Sequence, residues 1–302
     1  MSALSRFLSL FCVLFVFGCA SALREQPRET LPPQPKAEAK SAAPKVALVL
    51  GGGAARGFAH VGVIKVLEAN GIRPDIVVGV SAGSLVGALY AGGYGAADLE
   101  RVALTLDERV LGDWTLPHRG IFKGEALQDF VNRAVQYRPL EKLNRVFAVV
   151  ATDLQSGEQV VFRRGNTGMA VRASSSVPGV FQPVRINGRE YVDGGLTGPV
   201  PVRVARRLGA DVVIAVDVSA RPKHGGTADT LEVLLQTFAI MGQAIAANEL
   251  PEADIVIRPD TSQLTAIGFE NRGLAIREGE RAARAALPQI QARLTGKAGG
   301  GG

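Results

Sequence analysis

The chain has 302 residues, enough for one large domain with its own apolar core, so neither disulfides nor a structural metal is needed to hold it together. Hydrophobic residues make up 47%, charged residues 21% and aromatics 6%, an ordinary globular mixture that excludes intrinsic disorder for the bulk of the chain. The net charge of +6 comes from scattered basic residues without a Lys/Arg-rich tract, so nucleic acid is not expected as a partner, while attraction to an anionic membrane surface stays open.

The N-terminus reads as an address. Arg6 precedes an uncharged, mostly apolar run from Phe7 to Phe17, the layout of a signal peptide over residues 1–18, and the run is too short to span a bilayer. It ends Val16-Phe17-Gly18-Cys19, which is similar to the lipobox of bacterial lipoproteins, where cleavage leaves the cysteine as a lipidated first residue. An ordinary signal peptide, or a buried strand with an incidental cysteine, is the plainer alternative. Cys12 would leave with the peptide, and no pair of thiols would remain for a disulfide within the chain. Ala20 after the cysteine resembles lipoproteins sent on to the outer membrane, so a lipid-anchored place in a bacterial envelope, facing the periplasm, is expected. Residues 19–45 carry Pro27, Pro32, Pro33, Pro35 and Pro44 with almost no large apolar residue, and are expected to form a tether.

The body is expected over 46–295 as one domain, alternating strand and helix. Val46 to Leu50 is a continuous apolar run that stops at Gly51-Gly52-Gly53, as a buried parallel strand feeding a glycine turn would. Ala59 to Ala69 has the periodicity of a helix and closes at Asn70-Gly71; Ile76 to Val80 and Ala82 to Ala91 repeat the strand-helix order. Val146 to Thr152 and Val212 to Val218 read as central strands, Gln159 to Arg163 and Glu190 to Val192 as shorter ones, and Ile255 to Arg258 as an edge. Further helices are expected at Glu125 to Tyr137, Val202 to Leu208, Leu231 to Asn248 and Ala275 to Leu287. Residues 296–302, four of them closing glycines, are expected to be a flexible tail. The class is α/β, with a mostly parallel central sheet flanked by helices.

Gly79-Val80-Ser81-Ala82-Gly83 fits G-x-S-x-G, the elbow in which a nucleophilic serine sits on a tight turn between strand and helix. A plain turn with a helix-capping serine is the alternative. The cluster Gly51-Gly52-Gly53-Ala54-Ala55-Arg56-Gly57 offers unobstructed backbone N–H groups at a helix start, suited to an anion. Arg56 stands where G-x-G-x-x-G needs its third glycine, and Phe58 where a P-loop needs lysine, so an oxyanion hole for Ser81 fits better than a nucleotide site, with a phosphate cradle still open. Three histidines, His60, His118 and His224, are candidates for the base. His224 has the chain order of an α/β-hydrolase triad but sits in a polar stretch, and His60 at a helix start suits a structural role. Asp193, in Tyr191-Val192-Asp193-Gly194-Gly195, is the stronger candidate, although an Asp-Gly pair taken alone is more often a turn.

Taken together, Gly51-Gly52-Gly53-Ala54-Ala55-Arg56-Gly57, Gly79-Val80-Ser81-Ala82-Gly83 and Asp193-Gly194-Gly195 resemble the patatin-like phospholipases, serine acyl hydrolases with a Ser-Asp dyad. Ala151-Thr152-Asp153 and Ser174-Ser175-Ser176-Val177-Pro178-Gly179 resemble the family as well. The resemblance implies Ser81 as nucleophile, Asp193 as base, and backbone N–H groups of Gly51, Gly52, Gly53 and Ala82 as the oxyanion hole. Arg56 would orient that loop or meet a lipid phosphate. The implied reaction is hydrolysis of lipid acyl esters, of the phospholipase A or lysophospholipase type, through an acyl-enzyme at a membrane face. Acyl transfer to another acceptor by the same dyad, and a non-catalytic envelope lipoprotein, are the rivals. No metal and no cofactor is expected.

Overall fold

A computed structural model describes residues 43–107, 122–219, 221, 230–264 and 270–298. The segment 1–42 with Cys19, most of the expected tether, His118 and His224 lie outside the described residues. Strand β1 (Val46–Leu50) is flanked by β2 (Ile76–Val80) and β7 (Val212–Val216), all three buried at every position. Apolar residues on both faces mean helices on both faces, which is why these runs show no polar alternation. The sheet continues in parallel through β3 (Val146–Asp153) beside β2 and β8 (Ile255–Ile257) beside β7. Beyond β3 it turns antiparallel, with β4 (Gln159–Phe162) and β6 (Arg189–Asp193) on β3 and β5 (Val184–Ile186) on β6.

Successive strand residues feed two cores. Leu48, Leu50, Val77 and Ile214 face one side, where α1 (Ala59–Ala69), α2 (Ala82–Ala91), α3 (Ala96–Thr105) and α8 (Arg272–Ala298) contribute Ile64, Leu89, Leu99 and Ile276. Ala47, Val49, Val78 and Val213 face the other, against α6 (Val202–Arg207) and α7 (Thr230–Glu249). α4 (Glu125–Ala134) and α5 (Thr167–Ser174) complete the helices described.

Several boundaries differ from those expected. α4 stops at Ala134 instead of Tyr137, because Gln136 and Tyr137 take positive φ. The expected stop at Leu287 is corrected by α8, which runs through Pro288 to Ala298 and so takes in the first three residues of the expected tail, the rest of which, 299–302, lies outside the described residues. Ile290 is wholly buried and Leu294 packs on the core, and that burial outweighs one missing backbone donor at the proline. Helices α3 and α5 and strand β5 were not legible in the sequence. Among the described residues no helix is long and apolar enough to cross a membrane.

Candidate active site

Strand β2 ends at Val80 opposite Val150, and β6, running the other way, ends at Asp193 opposite Ala151. Strand β4 pairs with Val149 to Thr152, overlapping both registers, so it occupies the other edge of β3. β2 and β6 therefore meet end to end along one edge, and the residues delivered at that junction are Ser81 and Asp193.

Ser81 holds φ 52° and ψ −126°, a strained backbone for a residue with a Cβ. The turn closes only because its glycines are bare: a Cβ at Gly83 would stand 2.1 Å from Leu50 O, and one at Gly79 would stand 2.6 Å from Gly83 O. The Ser81 carbonyl accepts from Ser84 N–H at 2.8 Å and from Ser84 Oγ at 2.6 Å. On its other side the Ser81 N–H donates to Ser174 Oγ at 2.9 Å, and that hydroxyl donates to Val150 O at 2.6 Å. Ser174, at the end of α5, thus replaces the rung that is lost where β2 gives way to β6.

Asp193 is 6% exposed. Its Oδ1 accepts from Gly195 N–H at 2.7 Å, its carbonyl accepts from Thr152 Oγ1 at 3.0 Å, and its N–H donates to Ser176 O at 3.0 Å. Oδ2 is buried with no hydrogen-bond partner among the described residues. Burial pushes the carboxyl pKa up to about 6, against the opposing pull of the Ser81 hydroxyl and Gly195 N–H. The hydroxyl is thus near enough to favour the charged carboxylate, yet the pair is not closed into a well-formed hydrogen bond.

The glycine turn corrects part of the expected oxyanion hole. Gly51 N–H donates to Val216 O at 3.0 Å and Gly52 N–H to Pro199 O at 2.9 Å, so both donors are consumed by the neighbouring chain. Gly53 N–H and Ala82 N–H, the latter at the start of α2, take no acceptor among the described residues. Gly52 instead serves by closeness, since a Cβ there would come within 3.3 Å of Ser81 Cβ. Arg56 is buried, and its Nε donates to Val218 O at 3.2 Å, tying the turn to the chain just beyond β7. His60, fully buried at the start of α1, has Nε2 2.8 Å from Gly51 O. Among the described residues no group of His, Cys, Asp and Glu side chains is arranged to hold a metal ion.

A family model for patatin-like phospholipases matches residues 48–206, a span that contains the glycine turn, Ser81 and Asp193. The chain belongs to the patatin-like phospholipase family. An uncharacterized NTE family protein of Mycobacterium bovis is 33% identical over 267 residues, covering 80% of this chain and 46% of its own length. Patatin-like phospholipase domain-containing protein 6 of Mus musculus is 34% identical over 229 residues, covering 72% of this chain and 16% of its own length. The chain spans about half the length, or less, of these curated relatives. Among solved structures, VipD from Legionella pneumophila has a TM-score of 0.48 at 14% identity, covering 82% of this chain and 67% of that one.

Within this patatin-like domain two contributors escape sequence reasoning as site residues. In the sequence Ser174 stands out only as part of a family-like stretch, and so does Thr152, which holds the Asp193 carbonyl and contacts Thr197 Oγ1 at 3.0 Å. A polar residue closing a short helix or ending an apolar strand is the one signal either leaves in the sequence, and it is shared with many ordinary caps.

Proposed function

We propose that the chain is a serine acyl hydrolase of lipid esters, with Ser81 as nucleophile and Asp193 as its base. The observation that carries this reading is the enclosed, unpartnered Asp193 Oδ2 beside a serine held on a strained elbow. A buried acceptor without a donor costs stability, and a strained backbone does too, so both are features that catalysis accounts for and folding alone does not. With a pKa near 6, the carboxyl is ionised at neutral pH yet a better proton acceptor than a solvated aspartate.

In the proposed first step Ser81 Oγ attacks the ester carbonyl carbon while its proton passes to Asp193 Oδ2. The carbonyl oxygen becomes an oxyanion that Gly53 and Ala82 N–H groups are free to receive. The Asp193 proton then goes to the departing alkoxide, leaving acyl-Ser81. Water attacks that ester, giving its proton back to Asp193, and the collapse of the second oxyanion returns the proton to Ser81 Oγ and frees the fatty acid. Support for a lipid substrate comes from family membership and from α7, which has no charged residue between Glu232 and Glu249 and packs against the turn at Gly194–Leu196 just after Asp193. We further propose, from the segment around Cys19, that a lipid anchor holds the body at an envelope membrane, close to such a substrate.

The test is labelling by a fluorophosphonate together with turnover of a lipid-class panel. Wild type is expected to label once, at Ser81, and to release fatty acid; Ser81→Ala should abolish both, and Asp193→Ala should lower turnover by roughly 10³-fold or more. Labelling elsewhere, or an Asp193→Ala protein with full turnover, would overturn the dyad.

A further inference from the structure

His60 is a fully buried titratable side chain beside the glycine turn, and the mechanism above gives it no task. Its Nε2 lies 2.8 Å from Gly51 O, and its Nδ1 is buried without a partner among the described residues. A carbonyl oxygen can only accept, so Nε2 must carry the hydrogen, and Nδ1 is then a bare lone pair enclosed by the protein. Burial also lowers the ring's pKa to about 4, which keeps it neutral at working pH.

What the ring holds is the peptide plane between residues 51 and 52. Its oxygen, Gly51 O, is gripped by His60; its N–H, that of Gly52, is gripped by Pro199 O at 2.9 Å. The plane before it is fixed by the Gly51 N–H bond to Val216 O at 3.0 Å. Gly83 of the serine elbow crosses the same oxygen so closely that a Cβ there would approach Gly51 O to 2.7 Å. The carbonyl is therefore shut away from water between the elbow and α1, and His60 supplies its side-chain donor. The next plane along carries the Gly53 N–H, the first donor in the turn that no acceptor among the described residues takes.

We propose that His60 is a positioning residue: as the Nε2–H tautomer it pins the Gly51 carbonyl, and so aims the following Gly53 N–H at the oxyanion that forms on attack by Ser81. This rests on the serine hydrolase reading above and adds to it the residue that sets the geometry of the hole. A group that only filled space would serve as well without a ring nitrogen at that position. A group that sets the angle of a catalytic donor acts on the transition state far more than on bound substrate.

The experiment compares His60→Met with His60→Gln in the full chain, with a soluble short-chain ester as substrate and fluorophosphonate titration to count active sites. Gln places an amide N–H where Nε2 stands, whereas Met fills the volume without a donor. His60→Met is expected to lose about 30- to 100-fold in kcat with KM within about twofold, consistent with loss of an oxyanion donor's alignment. His60→Gln is expected to recover to within about tenfold of wild type. Affinity for a trifluoromethyl ketone, whose hemiketal oxygen mimics the oxyanion, should fall in parallel with kcat. Equal activity in His60→Met and wild type would overturn the proposal, as would losses in both variants that track only the fraction of folded protein or the number of titratable sites. If wild type itself fails to label at Ser81, the hydrolase reading falls first and this inference with it; if wild type labels and turns over normally while the Met and Gln variants behave alike, only the positioning role of His60 falls.

Discussion

At Asp193 and His60, burial favours the neutral form, but that means a retained proton on the acid and a refused proton on the base. Asp193 keeps its proton up to about pH 6, whereas its unfolded counterpart releases it near the ordinary carboxylate value of 3.8. The folded state therefore binds more protons between those values, and this contribution to stability, full below about pH 4, is lost as pH rises through 6. His60 runs the other way: the unfolded ring takes a proton below 6.5 and the folded ring refuses it until about 4, so stability is lost as pH falls across that window. A tenfold change in proton affinity is worth about 1.4 kcal/mol, so each group contributes roughly 3 kcal/mol, and the two slopes oppose each other over the same range. Asp193→Asn should leave stability at pH 4 near that of wild type and raise it by about 1–3 kcal/mol at pH 7, in urea unfolding at both values, while destroying turnover. If the variant is no more stable at pH 7, the carboxyl is not held against its preference for water. In wild type the acid limb of log(kcat/KM) should fall with unit slope below an apparent pKa of about 6, as Asp193, the proposed base, becomes protonated. A limb near the ordinary carboxylate value would mean that the carboxyl is solvated in the free enzyme.

Between elements, the weak point is the junction where β2 stops and β6 begins. A continuous strand would pass its hydrogen bonds along β3 without interruption, but here one rung is carried by a side chain, Ser174 Oγ, between Ser81 N–H and Val150 O. The hydroxyl is delivered by α5, whose start is fixed by Asn166 Oδ1 accepting from Met169 N–H at 2.7 Å and by Gly168 N–H donating to Asn132 Oδ1 of α4 at 2.9 Å. The register of the proposed catalytic turn therefore depends on a helix that, among the described residues, makes no bond to the hydroxyl of Ser81. Ser174→Ala removes both bonds and leaves a buried N–H and a buried carbonyl unpaired, at a cost of about 1–3 kcal/mol for each group left without a partner. The expected outcome is a Tm lowered by several degrees together with a kcat reduced by about tenfold, because the strained φ of Ser81 loses one of its restraints. Ser174→Thr retains the hydroxyl and is expected to keep most of both. If the Ala variant lowers Tm but leaves kcat untouched, the relay belongs to folding alone.

Across the whole molecule, the readable parts were those in which one residue type answers to one environment. β1, β2 and β7 declared themselves because strands covered on both faces must be apolar throughout, β3 because its run from Val146 to Ala151 is apolar, and the serine elbow because a turn that tight excludes side chains at Gly79 and Gly83. The antiparallel direction of β6 left no mark on Arg189 to Asp193, since strand direction is a property of pairing, and the loss of Gly51 and Gly52 as free donors is set by Val216 O and Pro199 O, far along the chain. Helix α5, with Thr167, Gly168 and Val171 among its eight residues, has little intrinsic preference for its state and is held by the packing of α4 and β3. A separation of roles follows from where the pieces lie. Every group assigned a part in the chemistry, from Gly51 to Asp193, belongs to the described body, whereas the proposed anchor at Cys19 precedes it in sequence. Cys19→Ser should therefore abolish incorporation of labelled palmitate and release the protein from the membrane fraction, while kcat on a soluble ester stays within about twofold of wild type and hydrolysis of lipid in intact envelopes falls, because the body no longer shares the surface with its substrate. Palmitate incorporation that persists in Cys19→Ser would rule out the lipobox, and an equal loss on the soluble ester would show that the N-terminal segment acts on the site itself and not on its place in the cell.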